Sequence, residues 1–266
     1  MKIFQHFLKI CVILNATSLK GGNRMPRRRI RWSRILLFLL ALAGAVWAWR
    51  IFSDPRIPIA LDAGHGGDDP GASGIIGETQ LTEATVRALA SYLEADPSYR
   101  VILCRDLNQG AGLNSRWKKA NFHRAQLLLS VHGNSAEDST ASGFEAYPAP
   151  PGRENHAESL RFANLLASRM TETGIRLRGE EGIRYAYYVD SVKVLQDPSA
   201  APLDAPSFAM VDYPSCPAVL VEQCFVTNPE DVKLLGTETG CQTAAWQYYL
   251  AICDYFGTQP QTGAFN

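Results

Sequence analysis

The sequence IPIALDAGHGG at residues 57–67 joins an apolar run to a glycine-rich turn that carries a histidine. An apolar run without polar alternation is typical of a strand in a parallel sheet covered on both faces. Two further runs end in a similar way, since LLLSV at residues 127–131 leads to His132 and AVLV at residues 218–221 leads to Glu222. Ligands of such sheets bind outside the carboxyl ends of the strands. We therefore expect these polar side chains to share one site.

The rest of the chain alternates short strand patterns with longer helical patterns, which is typical of βαβ units and a largely parallel sheet. We expect strands near residues 57–62, 100–104, 127–131, 143–147 and 218–222, and helices near 78–95, 113–124, 154–173, 229–235 and 239–256. The predicted fold class is α/β: a single domain with a mostly parallel twisted sheet flanked by helices, phosphorylase/hydrolase-like, preceded by an N-terminal membrane segment.

Charge is distributed unevenly along a chain whose formal net charge is zero. Residues 1–50 contain ten Lys or Arg and no acid, so the remaining 216 residues have a net charge of −10. Binding to nucleic acid usually requires a basic face on the folded domain. The acidic domain therefore argues against a nucleic-acid partner.

The basic N-terminal part resembles a membrane-targeting segment. Five arginines between residues 27 and 34 precede fifteen apolar residues, 35–49. Positive charge before an apolar run keeps the N-terminus in the cytoplasm, so the chain beyond the run is exported. We favour an uncleaved anchor over a removed signal and expect an extracytoplasmic, membrane-anchored domain. The predicted organisation is a basic cytoplasmic tail at 1–34 (with Met25 as an alternative start), an anchor or signal at 35–52, a linker at 53–56, a catalytic domain at 57–257 and a tail at 258–266.

Cysteine usage does not indicate a metal site. None of the six cysteines forms a CxxC pair, so zinc ligation by cysteine lacks its usual spacing. Five of them fall in the predicted domain, which leaves at least one without an intramolecular partner. We expect buried free thiols at positions 104, 216, 224, 241 and 253.

Residues 174–213 interrupt the alternation of strands and helices. This stretch is rich in glycine and proline and carries the closely spaced aromatics Tyr185, Tyr187 and Tyr188. Loops of this length inside a compact domain are usually functional or mobile. We expect a long loop, either a flap that lines a substrate groove or a surface insertion.

Four side chains are candidates for the site. His65 and His132 follow apolar runs, and Glu78 begins a helical pattern, where an acid is also favoured by the helix dipole alone. Glu222 closes an apolar strand, where an unpaired buried carboxylate is costly. Asp62 is suitably placed to orient an imidazole through its second nitrogen. The histidines at positions 6, 123 and 156 are not included.

These motifs together resemble the zinc-dependent N-acetylmuramoyl-L-alanine amidases of the Amidase_3 type. The resemblance covers residues 57 to about 256 and rests on the motifs at 62–67, 70–72, 78–82, 130–134 and 221–228, with Arg105-Asp106, Arg116 and Ala120-Asn121 between them. It implies one zinc ion held by His65, Glu78 and His132, and Glu222 as the catalytic acid/base.

The implied reaction is hydrolysis of the amide bond between N-acetylmuramic acid and L-alanine in peptidoglycan. Two features depart from the family pattern: Cys224 stands where glycine is usual, and the stretch at 180–210 is longer than expected. Neither departure touches a predicted ligand. The resemblance leaves the oligomeric state open.

Two alternatives belong to other classes. Carboxypeptidase-like zinc peptidases also use His, Glu and His, but their first two ligands are close together, whereas His65 and Glu78 are thirteen positions apart. A non-catalytic peptidoglycan-binding domain with a vestigial metal site would not need all four groups. We therefore favour the amidase.

Overall fold

The computed structural model describes residues 32–261 and 263, which fall into two compact units divided between Ser53 and Asp54. The first unit contains helix α1 (Trp32–Ser53). Within the part of the chain that the structure describes, no helix has the length and apolar character needed to span a membrane. The predicted basic tail up to residue 31, including Met25, lies outside the described residues.

The second unit alternates strands and helices, as the sequence pattern predicts. Its elements, in chain order, are β1 (Ile57–Ala63), α2 (Glu78–Ala95), β2 (Tyr99–Leu103), α3 (Leu113–Phe122), β3 (Leu127–Asn134), β4 (Glu145–Pro148), α4 (His156–Thr171), β5 (Tyr185–Val189), β6 (Val192–Gln196), α5 (Ala209–Asp212), β7 (Ala218–Phe225), α6 (Pro229–Asp231), a π-helix (Val232–Gly236) and α7 (Glu238–Phe256).

The main sheet has the strand order β2-β1-β3-β7-β4. Four strands are parallel, and β4 at the edge runs antiparallel to β7. The expectation of a mostly parallel sheet flanked by helices is therefore confirmed. Strands β3 and β7 each run three residues beyond their predicted ends, because their pairing continues through His132 opposite Glu222. Both residues thus lie inside strands and have a fixed backbone.

Hydrophobic cores cover both faces of this sheet. Helices α2, α4 and α7 pack against one face. Helices α3 and α5 pack against the other face, which carries Leu128, Leu220 and Tyr147 and which we call the site face. Side chains two positions apart on a strand point to the same side. His132 and Glu222 therefore lie on the site face, beyond the core residues of their own strands.

The long loop predicted for residues 174–213 is wrong in part. Residues 185–196 form a two-stranded antiparallel hairpin, β5–β6, and α5 follows it. The turn residues Asp190 and Ser191 both have positive φ, 48° and 66°, as tight two-residue hairpin turns require. The glycines and prolines around the hairpin suggested a loop, but its aromatic and β-branched residues favour strands.

The five cysteines of the second unit are buried and free. Burial raises the pKa of the Cys104 and Cys224 thiols well above the usual range. Because the thiolate is the form that binds metals and reacts, these side chains behave as small core residues. The prediction of buried free thiols is confirmed for all five.

Candidate metal centre

Three of the predicted site residues lie together at the carboxyl ends of the parallel strands. His65 follows β1, Glu78 is the first residue of α2, and His132 belongs to β3. One ligand atom from each of the three lies within 4.8 Å of the others. The structure thus brings together residues that are up to 67 positions apart in the sequence. Their role as metal ligands stays a prediction.

One carboxylate oxygen lies between the two imidazoles. The Oε1 atom of Glu78 is 3.1 Å from Nε2 of His65 and 2.9 Å from Nδ1 of His132. The two rings are nearly perpendicular, at 81°, with centroids 5.0 Å apart. One nitrogen of each ring therefore approaches the same carboxylate oxygen.

Glu78 is buried and fixed by backbone groups. The N–H of Ala72 donates to its Oε2 at 2.8 Å, and the N–H of Gly133 donates to its Oε1 at 3.1 Å. Burial alone would raise the pKa of Glu78, but its hydrogen bonds with His132 and His65 outweigh burial and lower the pKa well below the usual value. Glu78 is therefore an ionised carboxylate at neutral pH.

Two buried arginines hold the turn that carries His65. Arg116 donates to the carbonyl oxygens of Ala63 and His65 at 2.7 and 2.6 Å, and Arg105 donates to those of Ala63 and Gly64 at 2.8 and 3.2 Å. His65 itself has φ of 57°, a left-handed conformation that costs energy for a residue with a side chain. The arginine contacts stabilise this strained position.

The prediction that Asp62 orients an imidazole is wrong. Its carboxylate accepts hydrogen bonds from Arg116 at 3.2 Å and from Ser130 at 2.7 Å, on the buried site face. The residue that contacts the second nitrogen of His65 is Asp69, whose Oδ2 is 2.9 Å from Nδ1. Asp62 lies inside β1, so its side chain contacts residues on the face of the sheet. The turn after His65 instead brings Asp69 next to the imidazole ring of His65.

Glu222 is separate from this cluster but lies on the neighbouring strand. It pairs in register with His132 across β3 and β7. Although part of the residue is exposed, its Oε2 atom is buried and has no hydrogen-bond partner among the described residues. Burial raises the pKa of Glu222 to about 7, against the opposing charge of His132.

The other two acids on the site face form ion pairs with arginines, which distinguishes them from Glu222. Asp62 is paired with Arg116. Glu145, opposite Glu222 in the β4–β7 register, accepts hydrogen bonds from Tyr147, Arg178 and Arg184. The sequence does not reveal the role of Glu145, because its arginine partners lie about 30 to 40 positions away. The only signal is its place in a short apolar strand, which is unusual for an acid.

The donor set suits zinc. Two imidazole nitrogens and one carboxylate oxygen around an open fourth position are the usual protein ligands of a catalytic zinc ion. Ligand histidines usually donate their other N–H to a carboxylate or carbonyl. Asp69 provides this acceptor at Nδ1 of His65, so the other ring nitrogen, Nε2, is the one that can bind a metal. These residues therefore fit a zinc ion.

Replacing Gly64 by Ala is expected to damage this centre without unfolding the domain. A Cβ at this position would lie 2.4 Å from Cε1 of His132, so the ring has to move. Because displacements of about 1 Å at an active site cost about 100-fold in rate, we expect a loss of that order together with weaker zinc binding, measured by chelator competition. Gly112→Ala is the control, since nothing lies within 4 Å of its Cβ. Equal zinc affinity in the two variants would contradict the assignment of His132.

Zinc binding is expected to release about one proton at pH 7. The hydrogen bond with Glu78 raises the pKa of His65 to about 9 in the metal-free protein, and a ligand nitrogen must be deprotonated. Affinity should therefore rise by up to about tenfold per pH unit between pH 7 and 9 and level off above that. Calorimetry in buffers of different ionisation enthalpy measures this release, and a Glu222→Gln background removes the contribution of that carboxyl. Binding enthalpies that are independent of buffer would contradict the prediction.

Comparison with known proteins assigns the domain to one family. The family model described as N-acetylmuramoyl-L-alanine amidase matches residues 59–254. The chain is 27% identical to the "probable N-acetylmuramoyl-L-alanine amidase AmiB" of Haemophilus influenzae, over 86% of this chain and 58% of that protein. It is 25% identical to the N-acetylmuramoyl-L-alanine amidase AmiC of Neisseria meningitidis, over 76% and 53% of the two chains. The chain thus spans little more than half the length of these two relatives.

A solved structure is similar over its whole length. The catalytic domain of CwlV, an N-acetylmuramoyl-L-alanine amidase from Bacillus (Paenibacillus) polymyxa var. colistinus, superposes with a TM-score of 0.63 at 26% identity. The match covers 77% of this chain and 100% of that domain. All four predicted site residues fall inside the segment that the family model matches.

Proposed function

Because the chain belongs to the N-acetylmuramoyl-L-alanine amidase family, of the Amidase_3 type, we propose that it is a cell-wall hydrolase. Its substrate is peptidoglycan, and the bond it hydrolyses is the amide between N-acetylmuramic acid and L-alanine. The observation that carries this proposal is the convergence of His65, Glu78 and His132 next to Glu222, whose Oε2 has no hydrogen-bond partner among the described residues.

We propose that His65, Glu78 and His132 hold one zinc ion. The support is the donor set, the 4.8 Å cluster and the fixed orientation of each side chain. When bound, zinc supplies a Lewis acid that polarises a carbonyl and makes water a stronger nucleophile at neutral pH.

Glu222 then acts as the proton carrier. Its carboxyl group accepts a proton from the attacking water and returns it to the nitrogen of the departing L-alanine. A pKa of about 7 suits both steps, because such a group takes and gives up a proton near neutral pH. Glu222 is part exposed, and its Oε2 has no hydrogen-bond partner among the described residues, so no structural contact of that atom competes with proton transfer.

The bond that is cleaved can be identified by mass spectrometry of the fragments released from purified peptidoglycan. The amidase is expected to release stem peptides that begin with a free L-alanine amine and to leave glycan chains without peptides. A carboxypeptidase-like zinc peptidase would instead release amino acids from the carboxyl end of the stem. A non-catalytic binding domain would bind the polymer and release nothing. Either of the last two results would overturn the proposal.

We also propose that the domain works outside the cytoplasm, held at the membrane by an uncleaved segment. The support is the arginine cluster ahead of the apolar residues 35–49 and the extracytoplasmic position of the proposed substrate. Cell fractionation with protease treatment of intact spheroplasts, followed by the mass of the N-terminal peptide, tests both statements. A protease-protected domain would contradict export, and a cleaved N-terminus would contradict the anchor.

A further inference from the structure

The β5–β6 hairpin stands on the site face of the sheet. Its first strand follows the edge strand β4, where the N–H of Arg184 donates to the carbonyl of Ala146 at 3.1 Å. Ala186 of β5 is buried in the same core as Leu220, two residues before Glu222. The hairpin therefore rises from the edge of the sheet next to the proposed catalytic carboxyl group.

A row of aromatic rings connects the hairpin to the residues around Glu222. Tyr147, which donates to Glu145 opposite Glu222, packs edge-on against Phe208 with ring centroids 5.5 Å apart. Phe208 in turn contacts Tyr188 of β5 at 6.0 Å. Aromatic pairs in this geometry contribute more stability than their buried area alone provides. These ring contacts therefore stabilise the position of the hairpin.

Lys193 is the only basic residue of the hairpin, and it is exposed. It faces Tyr188 across the two strands, and its Nζ lies 6.0 Å from the centroid of the Phe208 ring. Among the described residues it forms no ion pair within 4.0 Å, whereas Arg184 is engaged by both Glu145 and Asp197. Its positive charge also acts on Glu222, whose pKa it lowers in opposition to burial.

An exposed lysine is most often a solvated surface residue. Three observations favour a binding role for Lys193: it stands on a braced hairpin, its ammonium group lies over an aromatic ring, and no carboxylate of the described chain neutralises it. A cation in this position is oriented before a ligand arrives, which reduces the entropy lost on binding. The ligand that it fits is an anion.

We propose that Lys193 binds a carboxylate of the peptide stem of the substrate and that the β5–β6 hairpin forms one wall of the substrate cleft. This inference rests on the proposed amidase function, because it takes the peptide stem to lie beside Glu222. It identifies Lys193 as a residue that sets substrate preference, for acidic over amidated stems.

The test is hydrolysis of two soluble substrates by wild type and Lys193→Gln. The substrates are an N-acetylmuramoyl tripeptide with all carboxyl groups free and the same compound with all of them amidated. A lost charge-assisted hydrogen bond corresponds to about a tenfold change. We therefore expect Lys193→Gln to raise KM for the free acid about tenfold, with kcat within about twofold of wild type. KM for the amidated compound should not change.

Lys118→Gln is the matched control, because Lys118 is also exposed and lies 5.3 Å from an aromatic ring, that of Trp117, but on α3. It should leave both KM values unchanged. An unaltered KM for the free acid in Lys193→Gln, or equal increases for the two substrates, would overturn the inference while the wild-type activity still supports the amidase. If wild type hydrolyses neither compound, the proposed function fails, and the role of Lys193 fails with it.

Discussion

Replacing Glu222 by Gln is expected to lower kcat by about 1,000-fold, the middle of the range for loss of a general acid/base. Glutamine has the same shape but cannot take up or release a proton at neutral pH. Zinc content should stay at one ion per chain, because Glu222 is not among the three clustered donors. The measurements are kcat on a soluble muropeptide and metal content of the same preparation.

Stability provides a second readout for the same variant. The Oε2 of Glu222 is buried and has no hydrogen-bond partner in the described part of the chain, and a buried ionised carboxylate is costly. Glutamine removes that charge, so the melting temperature should be equal to or higher than that of wild type. Glu230→Gln is the control, since Glu230 is exposed just beyond β7. Unchanged hydrolysis in Glu222→Gln would contradict its role, and a lower melting temperature would indicate that the carboxylate is structural.

Replacing His132 by Ala is expected to remove both zinc and activity. His132 would supply one of three protein ligands, and a zinc ion with only two protein ligands left is held less tightly. We expect the affinity for zinc to fall by more than about 100-fold. Loss of a residue that only hydrogen-bonds a metal ligand already costs up to about 100-fold, and loss of the ligand itself should cost more. Metal content after dialysis and competition with a chelator measure the change.

Two further variants allow the losses of zinc affinity to be ranked. Asp69→Asn keeps all three donors and alters only the acceptor behind His65, so its zinc affinity should fall about 10- to 100-fold. His123→Ala, at the end of α3, should bind zinc as wild type does. The expected ranking is therefore His132→Ala, then Asp69→Asn, then His123→Ala. Full zinc occupancy in His132→Ala would contradict the proposed centre.

The elements that the sequence predicts well are those with a local cause. Helix α2 begins and ends at the predicted residues, 78 and 95, because its apolar face repeats with a helical period from its first turn. The apolar strands are equally clear, and since their carboxyl ends must share one edge of a parallel sheet, the meeting of His65 with His132 is expected from the pattern.

The features that the sequence does not reveal depend on long-range contacts. Nothing near Asp62 indicates that Arg116 and Ser130 occupy its carboxylate, and nothing near His65 indicates that the turn returns Asp69 to its ring. The neutralisation of Glu145 by Arg178 and Arg184 depends on how the segment after α4 packs against β4. Glycine and proline around the hairpin also obscured its two strands.

The contrast between the acids on the site face is the physical basis of the proposed mechanism. Asp62 and Glu145 have arginine partners, and only Glu222 is left with a buried, unpaired oxygen among the described acids of this face. A buried carboxyl without a cation keeps its proton to a higher pH. The fold thus places one carboxyl group of raised pKa on the strand next to that of His132, while the other two acids of this face are held in ion pairs.

Anomalous diffraction at the zinc edge from crystals of the zinc-loaded protein tests the central claim most directly. We expect one strong peak, with Nε2 of His65, Nδ1 of His132 and a carboxylate oxygen of Glu78 each about 2.0–2.2 Å away, and with the remaining coordination position facing Glu222. A peak at any other site, or one from which either imidazole is beyond coordinating distance, would contradict the account.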